Sequence, residues 1–316
     1  MKMKILVGLP ASGKSTIAHG LVITEDAVRI NYDDLRWYDS FGSPKEYHFT
    51  RVNEEKIKEL AVSMATMAVD RGKNLVIDNT NLTQSAKDFW VRFAAKYSMT
   101  VEFIHVNTPL LECIRRDAIR TGWKQVGRAV IERMALCNGL LDLCGRELVL
   151  VDLDGTVADC DHRRKWIDSI CHTCSGSISN VVFCYDCYNT RKIKKNWFKF
   201  FEEVENDSLI KPTAEWVKQL SSDDRYCVCI VSGRPIDRAG KATVNWLAKH
   251  EIPYKHLFMR AGQDMRDDTI VKQEILDKII ESKGKVAFTI DDRPRVIRMW
   301  RENGIKCYDV GEGQEF

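Results

Sequence analysis

Gly8-Leu9-Pro10-Ala11-Ser12-Gly13-Lys14-Ser15 stands directly after an apolar run, residues 3–7, and at the start of a helical pattern that opens at Lys14. The spacing is that of a P-loop, and Thr16 extends it. A strand before the loop and a helix after it supply the context that the chemistry needs. Loop amides and the helix N-terminus face the phosphates, Lys14 reaches their β and γ oxygens, and the Ser15 hydroxyl can hold Mg²⁺. Gly8, Ser12, Gly13, Lys14, Ser15 and Thr16 are thus the expected nucleotide contacts, with ATP or another nucleoside triphosphate as phosphate donor.

Outward from the loop, strands are expected at 27–30, 75–77 and 101–106, and helices at 53–70, 84–96, 110–120 and 128–141. In the helix at 53–70 the apolar residues Ile57, Leu60, Ala61, Met64, Met67 and Ala68 recur at helical spacing. The alternation predicts a mostly parallel sheet with helices on both faces, and ligands of such sheets gather at the carboxyl ends of the strands. Asn31-Tyr32-Asp33-Asp34-Leu35-Arg36 follows the second strand there, and Asp78-Asn79-Thr80-Asn81 follows the third. Asp33 is placed to take a proton from an acceptor hydroxyl, and Arg36 to clamp a phosphate on that acceptor. The 78–81 stretch offers polar side chains to an acceptor or to a metal-bound water. Each stretch also reads as an ordinary polar turn. Arg116 and Arg120, four apart, are expected to share a helix face that closes over the transferring phosphoryl group, or else to form a solvated basic face.

A new apolar strand at 147–151 opens a second α/β alternation, so a first domain of residues 1–145 and a second of 146–316 are expected. The strand runs into Asp152-Leu153-Asp154-Gly155-Thr156. Asp152 suits attack on phosphorus to form an aspartyl-phosphate, and Asp154 suits protonation of the leaving oxygen and later activation of water. Phosphate charge beside carboxylate charge calls for Mg²⁺ and cations. Ser232-Gly233-Arg234, Lys272 and Asp291-Asp292 follow in order, each at the end of a strand or early in a helix. Asp291 and Asp292 are expected to complete a Mg²⁺ site with Asp152 and the Asp154 backbone.

The 316 residues are 44% hydrophobic and 29% charged, with a formal charge of +3, which excludes a mainly disordered chain and permits an anionic partner without demanding one. No run of about 18 apolar residues marks a membrane span. The 11 cysteines are odd in number, which suits reduced thiols in a cytosol. Cys171, Cys174, Cys184 and Cys187 form two Cys-x-x-Cys pairs, the pattern of a structural Zn²⁺ site that would stabilise a short insert. Free thiols and redox pairs are the alternatives. The insert, 160–205, falls where a cap over the acidic site belongs, and its basic run 191–195 before Trp197 reads either as a phosphate contact with a stacking platform or as a solvated helix start.

This order of motifs resembles the bacteriophage polynucleotide kinase-phosphatase family over nearly the whole chain. The resemblance implies an α/β protein of two parallel-sheet domains, an N-terminal P-loop kinase and a C-terminal haloacid-dehalogenase-like phosphatase with a small Cys-rich cap insert. It implies phosphorylation of 5′-OH ends of RNA or DNA by ATP, and removal of 3′-phosphate or 2′,3′-cyclic phosphate with Mg²⁺. Asp33 would be the general base on the 5′-OH, Arg36 would contact the neighbouring phosphodiester, and Arg120, supported by Arg116, would engage the donor phosphates. The Asp-Thr-Asn of the family appears as Asn79-Thr80-Asn81 preceded by Asp78, so either Asp78 or Asn79 fills the acidic position. Asp152 and Asp154 match the nucleophile and the acid-base, and Thr156, Ser232, Arg234, Lys272, Asp291 and Asp292 the remaining phosphatase motifs. The implied partners are strand ends, a ligase and further copies of the chain, with no membrane. The implied location is the cytoplasm, that of a phage-infected bacterial host. The paired cysteines are not part of the family pattern. A kinase-phosphatase for a small metabolite is the alternative. A nucleic-acid adaptor with inactive domains is a further one, which the presence of Lys14, Ser15, Asp152 and Asp154 opposes.

Overall fold

The computed structural model of the chain describes residues 1–39, 50–141, 145–167 and 196–313. The chain divides into two compact units, Met1–Asn138 and Gly139–Phe316. Cys171, Cys174, Cys184, Cys187 and the basic run 191–195 lie outside the described residues. Among the described residues, Cys113, Cys137, Cys160, Cys227, Cys229 and Cys307 are free thiols, and no helix is long and apolar enough to cross a membrane.

The first unit comprises β1 (Lys2–Val7), α1 (Lys14–Thr24), β2 (Ala27–Ile30), α2 (Tyr32–Asp39), α3 (Arg51–Asp70), β3 (Asn74–Ile77), α4 (Gln84–Lys96), β4 (Thr100–His105), α5 (Leu110–Ala118) and α6 (Arg128–Cys137). Its four strands are parallel in the order β2-β3-β1-β4. Alternation along β1 sends Met3, Ile5 and Val7 into a cluster with Ala61 and Ala65 of α3 and Trp90 of α4, while Leu6 packs on the other face with Ala18 of α1. Covering both faces is what lets an apolar parallel strand persist. Thr50 and Thr83 start α3 and α4 by accepting from the amides of Asn53 (3.2 Å) and Ala86 (3.3 Å).

Two elements depart from the spacing. Residues 32–39 form α2 rather than a polar turn, because the Asn31 side chain caps the Asp34 amide at 3.0 Å. Helix α5 ends at Ala118, so Arg116 and Arg120 do not share a helix face. The cause is Asp117, 2% exposed, whose carboxylate accepts from the amides of Val126 (3.1 Å) and Gly127 (2.8 Å) and turns the chain back.

The second unit comprises β5 (Glu147–Val151), β6 (Ala158–Asp159), α7 (Asp161–Arg164), α8 (Trp197–Glu202), β7 (Ser208–Leu209), α9 (Lys211–Ser222), β8 (Tyr226–Pro235), α10 (Ile236–Lys249), β9 (His256–Arg260), α11 (Asp268–Glu281), β10 (Val286–Asp291), α12 (Pro294–Glu302) and β11 (Cys307–Asp309). Five parallel strands lie in the order β11-β10-β5-β8-β9. Central β5 pairs Val151 with Ile290 of β10 and Ile230 of β8, so three strands deliver their carboxyl ends to one place. A separate antiparallel pair, β6 with β7, brackets the segment expected as a cap. The short strands β6, β7 and β11 carry too few residues for alternation to show.

Leu6→Ala in the first sheet and Leu150→Ala in the second are each expected to lower unfolding free energy by about 2–5 kcal/mol, because the buried strands cannot collapse onto the void. Urea denaturation of each variant measures it.

Candidate functional site

The P-loop is shaped by close approach. A Cβ at Gly8 would lie 2.8 Å from the Val106 carbonyl and 2.9 Å from Ser12 Oγ, so no side chain fits. Helix α1 starts from Gly13 at φ 101° with no side-chain cap, which leaves its first amides to an anion. Lys14 is 7% exposed, and its Nζ donates to the carbonyls of Leu9 (2.6 Å) and Gly8 (3.0 Å). Burial pushes its pKa down to about 8, against the pull of the Asp78 carboxylate. Ser15 and Thr16 are exposed on the first turn of α1. From α5, Arg116 reaches the Ser12 carbonyl at 3.4 Å while paired with Glu112 at 2.6 Å. Arg120, beyond the helix end, pairs with Asp117 at 3.7 Å.

The 78–81 segment ties the loop to the acceptor side. The Thr80 carbonyl accepts from the Gly8 amide (3.0 Å), and Asn81 Nδ2 donates to the Leu6 carbonyl (2.8 Å). Asn79 Oδ1 accepts from the Tyr32 amide (2.9 Å) at the start of α2. Asp78 is buried and receives Arg29 Nε at 2.7 Å, and Arg29 also bonds Asp34. Asp78 is thus committed to Arg29, while Asn79 faces α2. Asp33 is largely exposed and bonds Arg36 Nη1 at 2.6 Å. Arg36 is in turn held by Glu54 of α3 through Nε (3.0 Å) and Nη2 (2.6 Å). Glu54 and Arg29 were missed by motif reading, since nothing in the local sequence ties them to this edge.

In the second unit the predicted acidic residues converge. Carboxylate oxygens of Asp152, Asp291 and Asp292 lie within 4.8 Å of one another, all buried. Lys272 Nζ sits between them, 2.7 Å from Asp152 Oδ1 and 2.9 Å from Asp291 Oδ2, with Asp268 at 3.8 Å. Burial pushes Lys272 down, yet these carboxylates carry it well above the usual lysine value. Burial raises Asp152 well above the ordinary carboxylate range, and burial with Asp291 raises Asp292 to about 6. Hard carboxylate oxygens crowded into one buried place fit a divalent cation such as Mg²⁺. Thr156 Oγ1 donates to Asp292 Oδ1 at 3.1 Å. Gly155, at φ 83°, makes room for Asp292: a Cβ would lie 2.1 Å from its Oδ2.

Asp154 is engaged by arginines instead. Arg234 Nε lies 3.0 Å from both of its oxygens, and Arg163 Nη2 bonds it as well. Burial opposes ionisation, but the two guanidinia hold Asp154 well below the usual carboxylate range. Its side chain is therefore spent on arginines, which leaves only its backbone to a cation. Both arginines also bond buried Asp207, Arg163 at 2.7 Å and Arg234 at 2.7 Å. Arg234 Nη1 donates to Thr243 Oγ1 at 3.2 Å. Completely buried, Arg234 acts here as a positioning group for Asp154. Ser232 is 1% exposed near the end of β8 and pairs with Met259 of β9; the register then shifts between Ser232 and Pro235 and leaves residues 233–234 out of the ladder. Arg163, Asp207 and Asp268 were missed. Arg163 stands in the charged stretch Asp161-His162-Arg163-Arg164, which has no motif spacing to the acidic site, and a lone Asp207 carries no sequence signal.

Asp207→Ala is expected to lower the stability of the second unit by about 3–5 kcal/mol, since it leaves two buried guanidinium groups to share the single carboxylate of Asp154; urea unfolding reads it. For Lys14, phosphate oxygens would restore the charged form that burial disfavours. Nucleoside triphosphate binding above about pH 8 is therefore expected to take up as much as about one proton. Titration calorimetry in buffers of different ionisation enthalpy measures that uptake, and Lys14→Met should abolish it.

Residues 3–136 match the family described as AAA domain, and residues 181–315 match the family described as Polynucleotide kinase PNKP phosphatase domain. Over 95% of its length the chain is 24% identical to the "Putative bifunctional polynucleotide kinase/RNA ligase" of Autographa californica nuclear polyhedrosis virus, of which it covers 41%. Over 33% of its length it is 30% identical to the "Bifunctional polynucleotide phosphatase/kinase" of Schizosaccharomyces pombe, of which it covers 21%. The chain thus spans less than half of either curated relative. A chain in the structure of the Pnkp1/Rnl/Hen1 RNA repair complex is 27% identical, with 99% of this chain and 97% of that one covered at a TM-score of 0.40. The chain therefore joins an AAA-like P-loop unit to a haloacid-dehalogenase-type unit that matches the phosphatase domain of polynucleotide kinase PNKP.

Proposed function

We propose that the chain heals nucleic-acid ends, phosphorylating 5′-OH termini with ATP in its first unit and removing 3′-phosphate in its second. The observation that carries this reading is the pairing, on one chain, of a P-loop with the Asp152–Lys272–Asp291–Asp292 cluster, whose Lys272, Asp291 and Asp292 lie inside the region, 181–315, that matches a polynucleotide phosphatase family. Opposite reactions on one small metabolite would be futile. On the two ends of one broken strand both are useful.

In the second unit Lys272 occupies Asp152 Oδ1, so Oδ2 is the oxygen for in-line attack on phosphorus. The new O–P bond forms as the 3′-ester bond breaks, and the leaving oxygen takes a proton from Asp154. Asp154 must turn from Arg163 and Arg234 to carry that proton, because their pairing favours its ionised form. It then accepts a proton from the water that attacks phosphorus, which breaks the bond to Asp152 and frees inorganic phosphate. In the first unit Lys14 and the loop amides hold the donor phosphates, and Arg116 and Arg120 stabilise the transferring group. Asp33 takes the acceptor proton, with Arg36 at the neighbouring phosphate. A divalent cation such as Mg²⁺, held by Asp152, Asp291 and Asp292 in one unit and by Ser15 in the other, neutralises phosphate oxygens when bound.

The products, a 5′-phosphate and a 3′-OH, are what a strand-joining enzyme consumes, so a ligase is the proposed functional partner. The name of the viral relative, which includes an RNA ligase, supports that reading. The spacing of Cys171, Cys174, Cys184 and Cys187 supports structural Zn²⁺ in the cap insert.

The test uses a short strand with 5′-OH and 3′-phosphate, Mg²⁺ and ATP, read by mass spectrometry. Gain of 5′-phosphate is expected to vanish only with Lys14→Ala, and loss of 3′-phosphate only with Asp152→Ala. Excess chelator should stop both. No change at either end by the folded protein would return the reading to small phosphorylated metabolites.

A further inference from the structure

The cavity in front of Asp152 has more wall than a phosphoryl group needs. It encloses about 360 Å³, near the small end of ligand pockets, so it suits one nucleotide-sized group rather than a base pair. Besides Asp152 and Asp154, its lining includes the aromatic residues of α8 and several arginines.

Most of those arginines are already committed to carboxylates. Arg260 bonds Asp268 at 3.3 Å, Arg266 bonds Asp264 at 2.7 Å and Glu274 at 2.6 Å, Arg293 bonds Asp268 at 3.1 Å, and Arg295 pairs with Asp267 at 3.1 Å. Arg238, on the first turn of α10, is exposed and makes no hydrogen bond or ion pair among the described residues. Among the described residues of the cavity wall, its charge is the arginine charge that no carboxylate of the protein meets.

The aromatic residues of α8 form one packed cluster, with Trp197 and Phe201 each edge-to-face with Phe200. Phe200 is 3% exposed and lies under the Arg163 guanidinium at 4.3 Å, so it belongs to the scaffold of Asp154. Trp197 and Phe201 are half-buried, with near-parallel rings 5.9 Å apart and 21° from coplanar. Both side chains line the cavity and give its wall flat apolar surface. A ligand that fits all three features carries a phosphoryl group for Asp152, a flat ring for Trp197 and Phe201, and a second anion for Arg238.

We propose that this cavity reads the terminal nucleotide of a single strand, its base stacked on Trp197 and Phe201 and the phosphodiester on its 5′ side held by Arg238. The proposal rests on the end-healing reading and names the groups that give it specificity. Stacking on an aromatic face and a cation on the backbone are how single strands are held without sequence preference.

The test compares kcat/KM of the full-length protein with Mg²⁺ on three substrates: an abasic deoxyribose 3′-phosphate, a nucleoside 3′-phosphate and a dinucleotide 3′-phosphate. Efficiency is expected to rise in that order. Trp197→Ala should lower efficiency on the two base-bearing substrates, relative to the abasic one, on the order of tenfold. Trp197→Phe should restore most of it. Arg238→Ala, on an exposed position, should lower efficiency on the dinucleotide relative to the nucleoside 3′-phosphate by a similar factor. Equal loss on all three substrates with Trp197→Ala would mark a ring that acts through the fold and overturn the proposal. So would equal efficiency of the unaltered protein on all three, or no effect of Arg238→Ala. Hydrolysis of p-nitrophenyl phosphate with none of the three 3′-phosphates cleaved would instead sink the end-healing reading itself.

Discussion

Lys272 is an ammonium group with 1% of its surface exposed, held by Asp152 and Asp291 and flanked by Asp268. Taking such a charge out of water costs several kcal/mol, and the cost is offset only where opposite charges with good geometry meet it. The carboxyl ends of β5 and β10 and the start of α11 must therefore arrive together, or the charge stays stranded. Without Lys272, Asp152, Asp291 and Asp292 would repel one another in a buried place. With it, they remain rich enough in negative charge to suit a divalent cation. The site thus constrains the sheet as much as the sheet positions the site.

A second network lies beside the first and does a different task. Asp154 and Asp207 are interleaved with Arg163 and Arg234, two guanidinia without exposed surface. The two aspartates of one short motif are thereby driven apart electrostatically. Asp152 faces the lysine and the other carboxylates, where burial raises its pKa, and Asp154 faces arginines, which lower it. Phe200, stacked against Arg163, links this network to the aromatic side of the cavity. The first unit uses neutral groups for the comparable task. Asn79, Thr80 and Asn81 connect α2, the P-loop and β1 through an amide, a carbonyl and a side-chain amide.

Legibility followed the range of the interactions. Strands such as β2 and β5 and helices such as α4 show in the sequence because their apolar residues repeat within one element. Helix α2 did not show, since its start depends on Asn31 capping and its surroundings on Asn79. The end of α5 did not show either, because Asp117 stops it by binding amides that lie in the following turn. Of the residues expected at the two sites, Asp152, Lys272, Asp291 and Asp292 meet as their order along alternating strands implies. Arg36 and Arg234 are instead held by carboxylates, Glu54 and Asp207, that no local pattern connects to them.

Local sequence is enough for the α/β alternation, the P-loop with Lys14 and Ser15, and the strand-end positions of Asp152 and Asp291, because each follows from residues within a few positions of one another. Which charged group is left for chemistry and which is bound to another side chain is a matter of the folded arrangement. That choice depends on distances between residues far apart in the chain, such as the 2.7 Å from Arg163 Nε to Asp207 Oδ1, and burial makes any such charge costly until a partner from a distant segment arrives.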